Sequence, residues 1–186
     1  MSTTIWRARL TLPVSSVRDH ICGALNAPLT LVEYGDYECP FCAAAHQVVK
    51  TIGAQAGGAL RFVFRHFPMT SVHPHAELAA EAAEAAAAQG RFWEMHNMLY
   101  SNQQELEGPH LLAYATAIGL DVARVSSEIA AHVYLPKVTD DFMSGVRSGV
   151  NGTPTFYING VRHDAGWDYP SLAAALQRAA LAVQTS

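Results

Sequence analysis

Cys39-Pro40-Phe41-Cys42 stands between an apolar run of strand length, Leu29 to Tyr34, and an amphipathic run that begins at Phe41. A strand that feeds a helix through such a step restricts the fold more than any other feature of the chain. Pro40 suits the first helical turn, where a missing N–H costs nothing. Cys39 then falls at or beside the N-cap, facing unpaired backbone N–H groups and the positive end of the helix dipole. A thiolate is favoured there, and the thiolate is the attacking species. Cys42, one turn inside and less exposed, suits a resolving thiol. Two other readings stay open. A CxxC can be half of a metal site, completed here by Cys22 or by some of the nine histidines. Two cysteines can also be small buried hydrophobes. The chain has no second CxxC and no HxxxH pair, which weighs toward redox chemistry.

The 186 residues, 50% of them hydrophobic, suffice for one domain with a proper core and an inserted subdomain. A net charge of −4 makes no case for nucleic acid or for an anionic membrane surface. Ala79 to Ala88 is interrupted by Glu81 and Glu84 and is too short to span a bilayer. Met1 to Arg7 lacks a continuous apolar stretch, so no signal peptide is expected. Three cysteines, one left over if the pair closes, argue against a secreted disulfide scaffold. The expected compartment is the cytoplasm.

Residues 1–28 read as an irregular arm, with Leu10, Leu12 and Val14 suggesting a short edge strand beside Pro13. In the arm Asp19 has no evident partner, His20 reads as a surface residue and Cys22 as a packed thiol. Leu29 to Tyr34 reads as a central buried strand. Glu33 is the exception in that run: either a strand-end carboxylate in solvent, or a partly buried acid beneath the cysteines that can relay a thiol proton. Phe41, Ala44, Ala45, Val48, Val49 and Ile52 mark one helix face, ended by Gly57 and Gly58. Leu60 to Phe67 alternates as a second strand, making a βαβ unit with parallel strands. Helices dominate to about residue 146. Among them Glu77, Glu81 and Glu84 read as a solvated face, while Phe92, Met95, His96 and Leu99 read as core. His73 and His75 read as loop and helix-start residues. Gly119 ends one helix and Asp121 caps the next; another runs from Lys137 to Arg147. Gly152-Thr153-Pro154 leads into a strand, and Asn159-Gly160 signals an antiparallel hairpin. A last helix, Tyr169 to Val183, carries Leu172, Leu176, Ala179 and Val183 inward.

This order resembles the thioredoxin-like α/β fold with an inserted α-helical subdomain, as in the leader-less DsbA-like thiol-disulfide oxidoreductases. Three stretches carry the resemblance: Asp-Tyr-Glu-Cys-Pro-Phe-Cys at 36–42, Gln-Gly-Arg-Phe-Trp-Glu-Met-His at 89–96 and Gly-Thr-Pro-Thr-Phe at 152–156. It implies a core of 29–68 and 148–186 and an insertion of 69–147. It implies Cys39 as nucleophile, Cys42 as resolving thiol, Glu33 as the family's buried acid and Pro154 as the proline whose preceding bond is cis. Such a bond turns the Thr153 backbone outward, where an extended substrate can pair. Thr153, Pro40 and Phe41 are the expected substrate contacts.

The implied function is thiol-disulfide exchange through a Cys39/Cys42 couple, with no cofactor or metal. The expected partners are protein or peptide thiols and disulfides, with glutathione or a thioredoxin-type reductant as electron partner. The alternatives are a non-redox glutathione-dependent isomerase or transferase, and a module holding metal through Cys39, Cys42 and a histidine. Phe41 stands where the periplasmic oxidases carry histidine, which removes a cation beside Cys39. Asp36 and Glu38 add negative charge expected to raise the Cys39 pKa, each worth ~0.3–1 kcal/mol. A milder oxidant than the periplasmic members is therefore expected.

Overall fold

The computed structural model describes residues 8–184, so Met1 to Arg7 and the signal-peptide expectation lie outside it. A five-stranded sheet has the order β1-β3-β2-β4-β5. Its strands are β1 (His20–Cys22), β2 (Leu29–Gly35), β3 (Leu60–His66), β4 (Thr155–Ile158) and β5 (Val161–His163). Helix α1 (Pro40–Gln55) joins β2 to β3, which run parallel; every other strand pair is antiparallel. Five helices follow β3: α2 (Ala76–Ala87), α3 (Phe92–Ser101), α4 (Gly108–Ala117), α5 (Val122–Ala130) and α6 (Leu135–Ser148). Helix α7 (Tyr169–Gln184) closes the chain. This is the thioredoxin-like fold with a helical insertion. No helix among the described residues is long and apolar enough to cross a membrane.

The sheet is covered on both faces, which explains why all of β2 is buried and reads as an unbroken apolar run. On one face Leu31, Phe62, Phe64, Phe156 and Ile158 pack with α1, α7 and the alanine side of α2. On the other, Val32, Tyr34, Val63 and Tyr157 pack with Phe142 of α6 and with Leu10 and Val14 of the arm. Asn159 and Gly160 take φ of 47° and 78°, the left-handed pair that a two-residue hairpin turn requires. Asp121 caps α5 as expected, accepting from the Arg124 N–H at 3.0 Å.

Several sequence expectations fail for identifiable reasons. The run from Leu10 to Val14 makes no strand; its carbonyls at Leu12 and Pro13 accept from Arg65 instead. The strand in the arm is β1, paired with β3 from His20↔Phe64 to Cys22↔Phe62. Cys22 ends that edge strand and is exposed, not packed. The Asp19 carboxylate, which had no evident partner, binds the Arg65 guanidinium at 3.0 and 3.1 Å and lets Arg65 be fully buried. Glu81 and Glu84 are buried, because α5, α6 and β1 cover the side of α2 that looked solvated. In α1 the buried stripe is Cys42, Ala45, His46, Val49 and Ile52; Phe41 lies off it and is 60% exposed. Leu172 and Leu176 of α7 are buried as expected, but Val183 lies past the packed part of the helix and is exposed.

Candidate active site

The cysteine pair sits where β2 meets α1. Cys39 is the N-cap, with extended φ and ψ of −73° and 119°, and Pro40 opens the helix. The Cys39 carbonyl accepts from the N–H groups of Cys42 at 3.0 Å and Ala43 at 3.2 Å, which starts the helical ladder. Cys42 is fully buried, and both residues are free thiols. From far down the chain, the loop before β4 brings the Thr153 carbonyl to 3.5 Å from Cys39 Sγ, and the Thr153–Pro154 peptide is cis.

The two thiols differ in acidity. A hydrogen bond from the Cys42 thiol does most to pull the Cys39 pKa down, from 9.0 to about 5. Burial opposes this; the Thr153 side chain and the N–H groups of Cys42 and Phe41 add to it. Cys42 moves the other way. Burial pushes it well above its ordinary value, helped by its bond to Cys39 and by the charge of Glu33. Glu33 itself is buried in β2 with Oε1 unpartnered. Burial and then the Cys39 thiolate raise its pKa from 4.5 to about 8. Tyr100 of α3 adds a second buried, unpartnered oxygen, kept protonated first by burial and then by the charges of Cys42 and Glu33. Gly35 makes room for that tyrosine: a Cβ there would lie 2.5 Å from the Phe64 ring and 2.9 Å from Tyr100 Oη.

Asp36 and Glu38 do not act on Cys39 as expected. Asp36 accepts from the N–H groups of Glu38 and Met69 at 2.8 Å and pairs with His73 Nδ1 at 2.8 Å. Glu38 takes the His75 N–H at 2.7 Å and its Nδ1 at 2.9 Å. Both carboxylates thus fasten the segment before Cys39 to the loop before α2, and neither is among the leading influences on the Cys39 acidity.

Sequence reasoning missed two residues at the site. Gln103, in the turn after α3, gives its side-chain amide to the carbonyls of Tyr37 at 2.7 Å and Cys39 at 2.9 Å. Trp167 places its ring 6.4 Å from that of exposed Phe41. Neither lies in a motif; only the folded chain brings them there.

Among the described residues, the group that could hold a metal ion is His20, His66 and Glu84, and it excludes both cysteines. Both imidazoles bond through Nε2 to Glu84 Oε1, at 2.7 and 2.8 Å. Metal ligation would move the His66 proton to Nδ1, which is buried without a partner. The trio fits a hydrogen-bonded clasp better than a metal centre.

A family model described as thioredoxin matches residues 15–178. The Na(+)/H(+) antiporter NhaA 1 of Mycolicibacterium vanbaalenii is 44% identical over 171 residues, covering 91% of this chain and 28% of that protein. The chain thus spans about a quarter of the length of the curated relatives it matches. Among solved structures, BdbD from Bacillus subtilis superimposes with a TM-score of 0.82 at 22% identity, over 93% of this chain and 96% of the other. A thioredoxin-like oxidoreductase from Silicibacter pomeroyi gives 0.75 at 27% identity, over 87% and 92%. The chain belongs to the thioredoxin family, and its helical insertion gives it the DsbA-like form of that fold.

Proposed function

We propose that this chain is a thiol-disulfide oxidoreductase that works through a Cys39/Cys42 couple, without metal or cofactor. One observation carries the reading: two thiols one helical turn apart are pushed in opposite directions, the outer to about 5 and the inner well upward. The Cys39 thiolate attacks a substrate disulfide, and one substrate sulfur leaves as thiolate. A mixed disulfide remains between Cys39 and the other substrate sulfur. Burial and then the Cys39 thiolate raise the Glu33 pKa to about 8; the mixed disulfide removes the thiolate, which favours the Glu33 carboxylate, so that Glu33 takes the proton of Cys42 and Cys42 attacks the Cys39 sulfur. The second substrate thiolate leaves, the Cys39–Cys42 disulfide closes, and two electrons have passed to the substrate. The same steps run backward when the pair starts oxidised, and the direction follows the relative potentials.

The Thr153 backbone beside Cys39 offers an edge for an extended peptide, with Pro40, exposed Phe41 and Trp167 flanking it. Protein and peptide disulfides are the substrate class in this reading, and the cytoplasm is its compartment. Glutathione or a thioredoxin-type reductant would then recycle the pair.

Disulfide exchange with a model peptide tests the reading. Cys39→Ser should reduce turnover to the uncatalysed rate. Cys42→Ser should trap the mixed disulfide and stop multiple turnover. Undiminished turnover by Cys42→Ser would instead favour a glutathione-dependent isomerase or transferase, which needs one nucleophile only.

A further inference from the structure

Behind the redox helix, away from the cysteine mouth, lies a cleft of about 350 Å³ between α1, α3 and the start of β3. Cys22 stands among its lining residues, Phe62 and Trp93 supply aromatic wall, and Gly53 leaves one side open. Cys39, Cys42, Thr153 and Pro154 take no part in it. The Trp93 ring lies 5.8 Å from Phe62 and 5.1 Å from His96, so three rings line one volume. That volume exceeds the ~150 Å³ of a cavity able to hold benzene, and it falls in the range of natural small-molecule sites.

The polar groups of the cleft point to a charge. His96 is 1% exposed and lines it. Its Nδ1 lies 3.0 Å from Tyr37 Oη. Burial keeps Tyr37 a phenol and His96 a neutral imidazole. The phenol has no other partner for its hydrogen, so it donates to Nδ1 and leaves the proton on Nε2. That N–H has no acceptor among the described residues. Lys50, the only lining residue with a fixed charge, adds to burial in depressing the pKa of both His46 and His96. The cleft therefore presents an ammonium and an imidazole N–H donor beside aromatic rings, with no carboxylate of its own.

We propose that this cleft is a binding site for a small aromatic carboxylate, its ring against Trp93 and Phe62 and its carboxylate toward His96 Nε2 and Lys50. The proposal is independent of the redox chemistry, since none of its residues acts there.

Titrating the 186-residue chain with 2-naphthoate, followed by amide and indole NMR shifts and by calorimetry, tests it. Saturable one-site binding with shifts centred on Trp93 and Gly53 is expected. Gly53→Leu should remove binding at least tenfold while keeping the fold, because nothing lies within 4 Å of a Cβ at that position and leucine is the better helix former. Lys50→Met should weaken binding about fivefold, the size of a partly exposed charge pair. The uncharged 2-naphthamide should bind the wild type correspondingly less well. Absence of saturable binding, equal affinity for the amide, or full binding by both Gly53→Leu and Lys50→Met would overturn the proposal.

Discussion

Glu33 beneath the cysteine pair and Glu84 between the sheet and the insertion are 1% and 6% exposed, yet they hold their protons in opposite ways. Glu33 has an oxygen with no partner, and burial drives its pKa up to about 8. Burial works against the charge of Glu84 as well, but hydrogen bonds from His20 and His66 outweigh it and hold that carboxyl well below the usual range. Lys137 adds an ammonium at 3.8 Å. Depth alone therefore does not decide whether a carboxyl stays charged; the donors around it do. Glu84 joins β1, β3 and α2, and its neighbour Lys137 extends the joint to Asp141 of α6 at 2.6 Å. It fastens the arm and the insertion to the core. Glu33 makes no such joint: its Oε1 has no partner, and burial, not a set of donors, sets its proton affinity.

Removing the well-partnered carboxylate should cost the most. Glu84→Ala leaves His20 and His66 without their acceptor, while Lys137 keeps Asp141, and such broken buried pairs cost roughly 3–5 kcal/mol. The urea midpoint of the variant reads this directly, and a loss below about 1 kcal/mol would mean the clasp is not structural. The pH dependence has a definite sign. The folded pKa of Glu84 is depressed, so in acid the unfolded chain takes up the proton first. The stability Glu84 confers is complete above about pH 4.5, its unfolded value, and is lost as pH falls below it.

Glu33 should give the opposite slope on the other side of that value. Its folded pKa is raised, so between pH 4.5 and about 8 the folded state holds a proton that the unfolded state has released. Stability from this group is full below pH 4.5 and declines as pH rises through about 8, by ~1.4 kcal/mol for each unit between the two values. Glu33→Gln should abolish the decline. The contrast is sharpest in the oxidised protein. When the pair is reduced, the depressed Cys39 thiol makes stability rise between about pH 5 and 9, which offsets Glu33. Denaturant curves for wild type and Glu33→Gln in both redox forms separate the two. Parallel pH profiles of the two proteins in the oxidised form would remove Glu33 from the argument.

These two glutamates also mark how far the sequence could be read. Glu33 drew notice because a lone charge interrupts an apolar run. Glu84 did not, because three glutamates on an alanine-rich helix imitate a solvated face. Its donors lie 64 and 18 residues away, one of them in a strand that the arm gave no sign of forming. The cysteine pair, the βαβ unit and the Asn159-Gly160 hairpin were legible because each is local and carries its own turn chemistry. Thr153 and Pro154 were linked to Cys39 only through the family resemblance. Gln103 was not legible, since a glutamine in a turn becomes informative only when two carbonyls stand before it. The expected effect of Asp36 and Glu38 is not among the leading ones for a similar reason: charge was counted from proximity in sequence, whereas both carboxylates turn to His73, His75 and peptide N–H groups.

Between the glutamates and the surface comes the thiol pair itself. The largest contribution to Cys39 acidity is the Cys42 hydrogen bond, so Cys42→Ala should raise the Cys39 pKa from about 5 by roughly 1–2 units. Thiolate absorbance against pH measures it. An unchanged midpoint would assign the acidity to the helix end and Thr153 alone.

Asp121 supplies the third case that the comparison needs, a carboxylate that is partnered but exposed. One oxygen accepts the Arg124 N–H at 3.0 Å at the start of α5, as an N-cap should. Water can replace that bond when the side chain is removed, which is not so for Glu84. Asp121→Ala should therefore cost about 1 kcal/mol, the ordinary loss of a cap. Asp121→Asn keeps an acceptor and should cost less still. If Asp121→Ala destabilised the protein as much as Glu84→Ala, burial would add nothing to the value of a partnered carboxylate. The predicted gap between them instead says that a hydrogen bond gains its weight from the absence of water to replace it.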